Sequence, residues 1–267
     1  MTLTPERVDQ LISAFAGERI LVLGDIMLDE FIWGKVRRIS PEAPVPVVEV
    51  SRESYHLGGA GNVAANLCAL GAASVPIGIV GQDAAAERLM GLLDSQSIES
   101  AGLIAEAGRP TTVKTRVVAH SQQIVRTDRE SKAPLADDRN EALLAAFLKW
   151  LPSCKAVVIS DYDKGVVNRW LLSRALPAAE KNRIPVLLDP KVHHADYYRP
   201  VTLIKPNLRE AELLTGISIR DDNDLTAAGR LLLAKFGCPY VLISHGEEGM
   251  SLFSKEGAHH RFPTFAR

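Results

Sequence analysis

The chain has 267 residues and a mass of 29.0 kDa, room for one large α/β domain or two small ones. It is 46% hydrophobic and 24% charged, with a formal net charge of −1 and no basic block, which excludes an electrostatic nucleic-acid binder. No apolar run approaches the roughly 20 residues of a membrane span and no signal-peptide pattern opens the chain, so the expectation is a cytoplasmic protein without a membrane partner.

Short β-branched runs predict buried strands over 19–23, 73–80, 156–159, 185–188, 201–204 and 240–243, and helical apolar spacing appears over 83–93, 139–151, 169–181, 208–214 and 225–236. This alternation implies α/β architecture with a largely parallel sheet, helices on both faces and a site beyond the carboxyl ends of the strands. The pattern reads as a single domain over 1–267. Two segments break the rhythm. Residues 30–55 hold Phe31, Ile32 and Trp33, a proline-rich run and alternating valines; residues 111–127 read as two strands around a turn near Ser121. Together they predict a small antiparallel sheet outside the main one, a lid, with an edge hairpin of no catalytic role as the alternative.

The first predicted strand runs into Gly24-Asp25-Ile26-Met27-Leu28-Asp29. Carboxylates leaving a strand end can accept hydrogen bonds from sugar hydroxyls, or simply cap a turn. Next comes Gly58-Gly59-Ala60-Gly61-Asn62 ahead of a small-residue segment. Glycines admit close backbone approach, the run that follows opens a helix whose N–H groups can face an anion, and the Asn62 amide can meet hydroxyls. The stretch also matches the Gly-x-Gly-x-x-Ala form of a dinucleotide fingerprint, which needs a buried strand just before it. Ser51–His56 is polar and reads as a turn, so the dinucleotide reading fails.

Later strands end in Ser160-Asp161-Tyr162-Asp163-Lys164-Gly165, in Asp189-Pro190-Lys191, and in Lys205-Pro206-Asn207-Leu208-Arg209-Glu210. In the last, Pro206 enforces an extended approach and Asn207 can cap a helix. Glu210 shares a helix face with Asn207, and the two could hold the water shell of a Mg²⁺ or form a plain capping box, the better reading on spacing alone. Ser244-His245-Gly246-Glu247-Glu248-Gly249 follows the final strand as a backbone approach to a nucleotide or a tight hairpin. His193-His194 and His259-His260 lack a third ligand at fixed spacing and read as exposed loop histidines. Cys68, Cys154 and Cys238 lie far apart and read as apolar fillers in a reducing compartment.

In this order the motifs resemble the ribokinase (PfkB) family of sugar kinases. More narrowly, the string Arg38-Ile39-Ser40-Pro41-Glu42-Ala43-Pro44-Val45-Pro46-Val47-Val48 resembles bacterial D-glycero-β-D-manno-heptose 7-phosphate kinases. So do Gly24–Asp29, Gln122-Gln123, Arg126-x-Asp128, Ser160–Tyr162 with Lys164-Gly165, and Asp189-Pro190-Lys191. The resemblance runs from about residue 18 to the end. It implies a ribokinase-like three-layer α/β/α sandwich with a β-lid. The implied reaction is transfer of the ATP γ-phosphoryl group to the anomeric hydroxyl of the heptose 7-phosphate, giving the 1,7-bisphosphate for ADP-heptose and lipopolysaccharide core synthesis. Asp29 and Gly58, Gly59, Gly61 and Asn62 would bind the sugar, and Asn207 and Glu210 would serve ATP and Mg²⁺. Ser244, Gly246 and Gly249 would border the nucleotide. Arg116, Arg126, Lys164 and Lys191 are added here as partners for the 7-phosphate, which needs cations.

The family's catalytic base and anion hole ride on a Gly-Ala-Gly-Asp motif at a helix N-terminus, and this sequence contains none before its last residue, Arg267. The expectation is therefore a kinase chain whose catalytic Asp belongs beyond Arg267, with impaired turnover and no nucleotidyltransferase domain. A homodimer paired through lid edge strands is a further expectation. The alternatives are a PfkB-type kinase for another sugar or sugar phosphate, and a non-catalytic sugar-phosphate-binding module.

Overall fold

A computed structural model describes residues 4–264; the ends of the expected domain, 1–3 and 265–267, lie outside the described residues. Arg267, beyond which the sequence reading puts the catalytic Asp, is one of these, so that expectation also lies outside the described residues. Helix α1 (Pro5–Ser13) is followed by β1 (Arg19–Gly24), β2 (Ile26–Ile39) and β3 (Pro46–Gly59). Then come α2 (Ala60–Ala69), β4 (Ala73–Val80), α3 (Ala84–Ser95), β5 (Leu103–Ala105), β6 (Val113–Ala119) and β7 (Gln122–Arg129). The second half runs α4 (Asp137–Trp150), β8 (Ala156–Ser160), α5 (Arg169–Lys181), β9 (Val186–Asp189), β10 (Leu203–Ile204), α6 (Leu208–Thr215) and α7 (Asp222–Phe236). Three strands close it: β11 (Tyr240–Ser244), β12 (Met250–Ser254) and β13 (His259–Phe262).

The apolar runs read as strands form the middle of a nine-stranded sheet ordered β13-β12-β11-β10-β9-β8-β1-β4-β5. Its pairings are parallel from β5 to β11 and antiparallel at β11–β12 and β12–β13. Side chains alternate across it. On β1, Leu21 and Leu23 pack with α4 and α5, whereas Val22 joins Ala64, Leu89 and Leu93 of α2 and α3 on the other face. Both faces are thus covered, and each fully buried leucine on β1 contributes roughly 2 kcal/mol of burial. Asp83, Asn168 and Asp221 cap α3, α5 and α7 through their side chains.

A second sheet, ordered β3-β2-β6-β7, is the expected lid. It is larger than 30–55 and 111–127 suggested, and one of its pairings, β2 with β6, is parallel rather than antiparallel. The turn between β6 and β7 is His120-Ser121, both at positive φ. Residues Ser51–His56, read from sequence as a polar turn, are strand and belong to β3. They are polar because the lid is solvated on both faces at that point, so the strand has no apolar alternation to display. The dinucleotide reading still fails on geometry: β3 pairs antiparallel with β2 instead of lying in a parallel βαβ unit.

One register decides where the site lies. Gly24 is opposite Ser160, and Ser160 is opposite Asp189. The carboxyl ends of β1, β8 and β9 therefore open side by side, and β2 leaves for the lid at the same point.

Candidate active site

Asp25 sits at the seam where β1 passes into β2. Its buried carboxylate accepts the backbone N–H groups of Tyr162 (2.8 Å), Lys164 (3.1 Å) and Val166 (3.1 Å). It thus fastens the loop after β8 to the end of β1. Burial pushes its pKa up to about 6, with the Asp161 charge adding to the rise and the three N–H bonds opposing it. The sequence singled out Asp29 from this string; Asp25 is the structural partner that spacing did not distinguish.

Asp29 lies three residues into β2, on the lid face shared by Phe31, His56 and Arg116. Its Oδ1 accepts a hydrogen bond from Arg116 Nη1 at 2.6 Å, and the Arg116 guanidinium lies over the Phe31 ring at 5.2 Å. Gly58 makes this arrangement fit, since a Cβ there would stand 2.5 Å from Asp29 Oδ2. Gly59 adopts φ +56°, a left-handed conformation, and its missing Cβ would collide with the Asp25 carbonyl. Gly61 is buried against Ile26 and Leu57. The room these glycines leave is filled by the protein, and the chain turns directly into α2, whose N-terminus has no side-chain cap. Asn62 is exposed on the first turn, where Asn66 Nδ2 donates to its carbonyl at 2.9 Å.

The cationic candidates divide. Arg126 faces Arg116 across the β6–β7 register and is held by Asp128, with Nε 2.9 Å from Oδ1. Hydrogen bonds from Lys114 and Arg126, the former first, keep the Asp128 carboxyl below the usual range. Lys164 Nζ lies 2.8 Å from Glu130, whose other oxygen is 3.8 Å from Lys114. Lys191 sits over the Tyr162 ring at 5.6 Å with its Nζ 3.9 Å from Glu210.

On the other side of the site, Asn207 and Glu210 form a full capping box at the start of α6. Asn207 Oδ1 accepts the Glu210 N–H at 2.9 Å and Glu210 Oε2 accepts the Asn207 N–H at 3.0 Å. The other oxygen, Oε1, faces Lys191. That donor set suits a Mg²⁺ held through its waters, which needs one outward carboxylate oxygen, and not inner-sphere binding by Asn207. Asn207 bridges Ser244 through the backbone, so the two segments expected to border the nucleotide touch. Residues 244–249 form the connection of the β11–β12 hairpin, with Gly246 and Gly249 at positive φ and the His245 N–H donating to the Gly249 carbonyl.

Tyr162 joins the two halves and was not among the residues singled out. Burial raises its pKa, followed by the negative charges of Asp189, Asp29, Glu210 and Asp25. Negative charge from β2, the β9 end and α6 thus bears on one phenol. The signal in the sequence was its place in the Ser160–Gly165 strand end. Cys154 and Cys238 are buried and free, with burial pushing both thiols up, in keeping with their reading as fillers. Among the described residues no helix is long and apolar enough to cross a membrane.

Comparison with known proteins extends this picture. The chain is 42% identical over 262 residues to the bifunctional protein HldE of Geobacter metallireducens, covering 98% of this chain and 54% of that protein. Against HldE of Caulobacter vibrioides the figures are 47% over 240 residues, 90% and 49%. The chain spans about half the length of these relatives. Among solved structures, phosphofructokinase-2 from Escherichia coli in complex with substrates and products superposes with a TM-score of 0.73 at 19% identity, covering 94% of this chain and 80% of that one. Ribokinase of Arabidopsis thaliana complexed with ribose and ATP gives 0.69 at 19%, covering 94% and 78%. These superpositions show a ribokinase-like α/β fold with a mostly parallel central sheet and a second small sheet. The profile described as "pfkB family carbohydrate kinase" matches residues 18–267, and the chain belongs to that family of ATP-dependent carbohydrate kinases.

Proposed function

We propose that this chain binds D-glycero-β-D-manno-heptose 7-phosphate and ATP as a kinase domain that phosphorylates the anomeric hydroxyl, yielding the 1,7-bisphosphate for ADP-heptose synthesis. The observation that carries the reading is the Asp29–Arg116 pair set against Gly58 on the lid. A carboxylate there accepts from sugar hydroxyls, while Arg116 and Arg126 present guanidinium forks to the phosphate. Gly59, Gly61 and Asn62 form the turn beneath the sugar. Lys191 stands between this half and the nucleotide side and can neutralise charge on either. Lys164, already matched to Glu130, acts on the phosphate at longer range.

Phosphoryl transfer asks the protein mainly for positioning and charge neutralisation. Asn207, Ser244, Gly246 and Gly249 would border ATP, and Glu210 would hold Mg²⁺ through water. When bound, that ion neutralises phosphate oxygens. The base and anion hole implied by the family ride on Gly-Ala-Gly-Asp, which the 267 residues do not contain, so acceptor binding is the measurement that bears on these residues. Calorimetry should show heptose 7-phosphate binding at least tenfold more tightly than the unphosphorylated heptose, with that preference lost in Arg116→Ala. Preference for a neutral sugar would overturn the phosphate assignment and favour a kinase of different substrate. The lid edge strand β7 is exposed along its whole length and carries Ile124 and Val125, which supports a homodimer through the lid; sedimentation of Val125→Lys against the parent chain tests it.

A further inference from the structure

The paired histidines that sequence spacing left without a third ligand acquire one in space. His193 and His194 lie on the 3₁₀ turn Val192–Tyr197 after β9. The neighbouring loop after β8 brings Asp163 to them, at a backbone φ of +59°. Asp163 Oδ1 is 3.1 Å from His193 Nε2 and 3.7 Å from His194 Nε2. One ligand atom from each of the three residues can be chosen so that all lie within 4.8 Å of one another. A tetrahedral ion with bonds of 2.0–2.1 Å sets its ligand atoms about 3.3 Å apart, so closing this set on an ion changes the separations by tenths of an ångström to at most about 1.5 Å.

What distinguishes the cluster from a chance meeting of loop residues is the support behind it. His194 Nδ1 lies 2.7 Å from Oδ2 of the buried Asp161. That same oxygen accepts from the Tyr198 hydroxyl at 2.5 Å, and Asp161 Oδ1 accepts the Asp163 N–H at 2.8 Å. Because the Asp161 carboxylate only accepts, the ring proton shared with it belongs on Nδ1, which leaves Nε2, 3.7 Å from Asp163 Oδ1, as the ligand nitrogen. A carboxylate behind a histidine is the arrangement that fixes tautomer and ring orientation in metal sites. On the far side, Lys132 Nζ is 3.8 Å from Asp163 Oδ2, leaving Oδ1 to the imidazoles. His193 and Asp163 reach solvent, which leaves a fourth position for water.

We infer that Asp163, His193 and His194 form a site for a borderline divalent transition ion of the Zn²⁺ or Co²⁺ class, separate from the Mg²⁺ that accompanies ATP. Two imidazoles and one carboxylate suit such an ion far better than Mg²⁺, which prefers oxygen ligands. Bound there, the ion clasps the loop carrying Tyr162 and Lys164 to the turn that follows Lys191.

Cobalt titration of the full chain tests this without reference to sugar or nucleotide. One equivalent of Co²⁺ should give the intense visible bands of a four- or five-coordinate site, displaced by Zn²⁺ and untouched by millimolar Mg²⁺. His194→Ala and Asp163→Asn should each weaken Co²⁺ binding at least tenfold. Both variants should keep the parent melting temperature without metal within a few degrees and lose the rise that Zn²⁺ gives the parent. Featureless titrations, displacement by Mg²⁺, or bands that survive in His194→Ala would overturn the site. Failure of heptose 7-phosphate binding would leave it standing.

Discussion

The two sheets of this molecule are held together by different physics. The central sheet is covered by helices on both faces, and its middle strands are almost wholly apolar. The lid is solvated, and the side chains that pair across it are charged: Asp29, Lys114, Arg116, Arg126 and Asp128. Burial fixes the first; register, bulges and a few ion pairs fix the second. Substitutions should therefore lower stability in one region and ligand binding in the other.

The largest effect is expected from Leu23→Ala in β1, at a residue with no exposed surface. Loss of packing plus a residual cavity should lower global stability by about 2–5 kcal/mol in denaturant unfolding. A change below about 1 kcal/mol would mean the central sheet is not the cooperative core.

Asp25 tests the seam between the regions. Its carboxyl titrates near 6 in the folded protein against about 3.8 when freely solvated, so between pH 4 and 6 the native state holds the proton that the unfolded chain has released. Stability from this group is therefore present below pH 4 and falls as pH rises through 6, by about 3 kcal/mol in all. Asp25→Asn cannot titrate. The stability difference between parent and variant should move against the parent across that window and stay flat above pH 7. A difference independent of pH would refute the assignment.

Gly58→Ala probes the lid itself. Its new Cβ drives Asp29 away from Arg116 and meets buried Met27 Cγ at 2.7 Å, so heptose 7-phosphate binding should weaken by roughly 2 kcal/mol, about thirtyfold, with a smaller stability loss of about 1 kcal/mol. Equal losses in both quantities would erase the contrast between the sheets. Arg126→Ala should do least. Its pair with Asp128 is half exposed, so stability should shift by no more than about 0.5 kcal/mol, while binding of the phosphorylated sugar alone declines.

The same contrast explains what could be read from the sequence. The runs around Leu21, Ile77, Val157 and Val241 announce buried strands because both faces of each are apolar. The strand over Ser51–His56 carries no such pattern, whereas the apolar run over 201–204 marks β10 although only Leu203 and Ile204 pair there. Asp29, Gly58 and the Asn207–Glu210 pair were visible as local strings, and the last proved to be a capping box. Tyr162 and the Asp163–His193–His194 cluster depend on β8 and β9 lying side by side, a long-range fact that local spacing does not contain. Asp25 was in view but looked like any turn carboxylate until its three N–H partners appeared.

The seam at Asp25 also bears on how the lid can vary. β2 leaves the central sheet beside Asp25, β3 returns at Gly59, and the Ala60 N–H closes the gap on the Asp25 carbonyl at 3.0 Å. The hairpin between them is a cassette plugged in at one socket. Its tip, where the Ser40 N–H meets the Val45 carbonyl, lies roughly 45 Å along the strands from that socket, fourteen residues away. Insertions, deletions or grafted loops at the tip can therefore reshape what the cassette presents while the socket and the sheet beneath it keep their register.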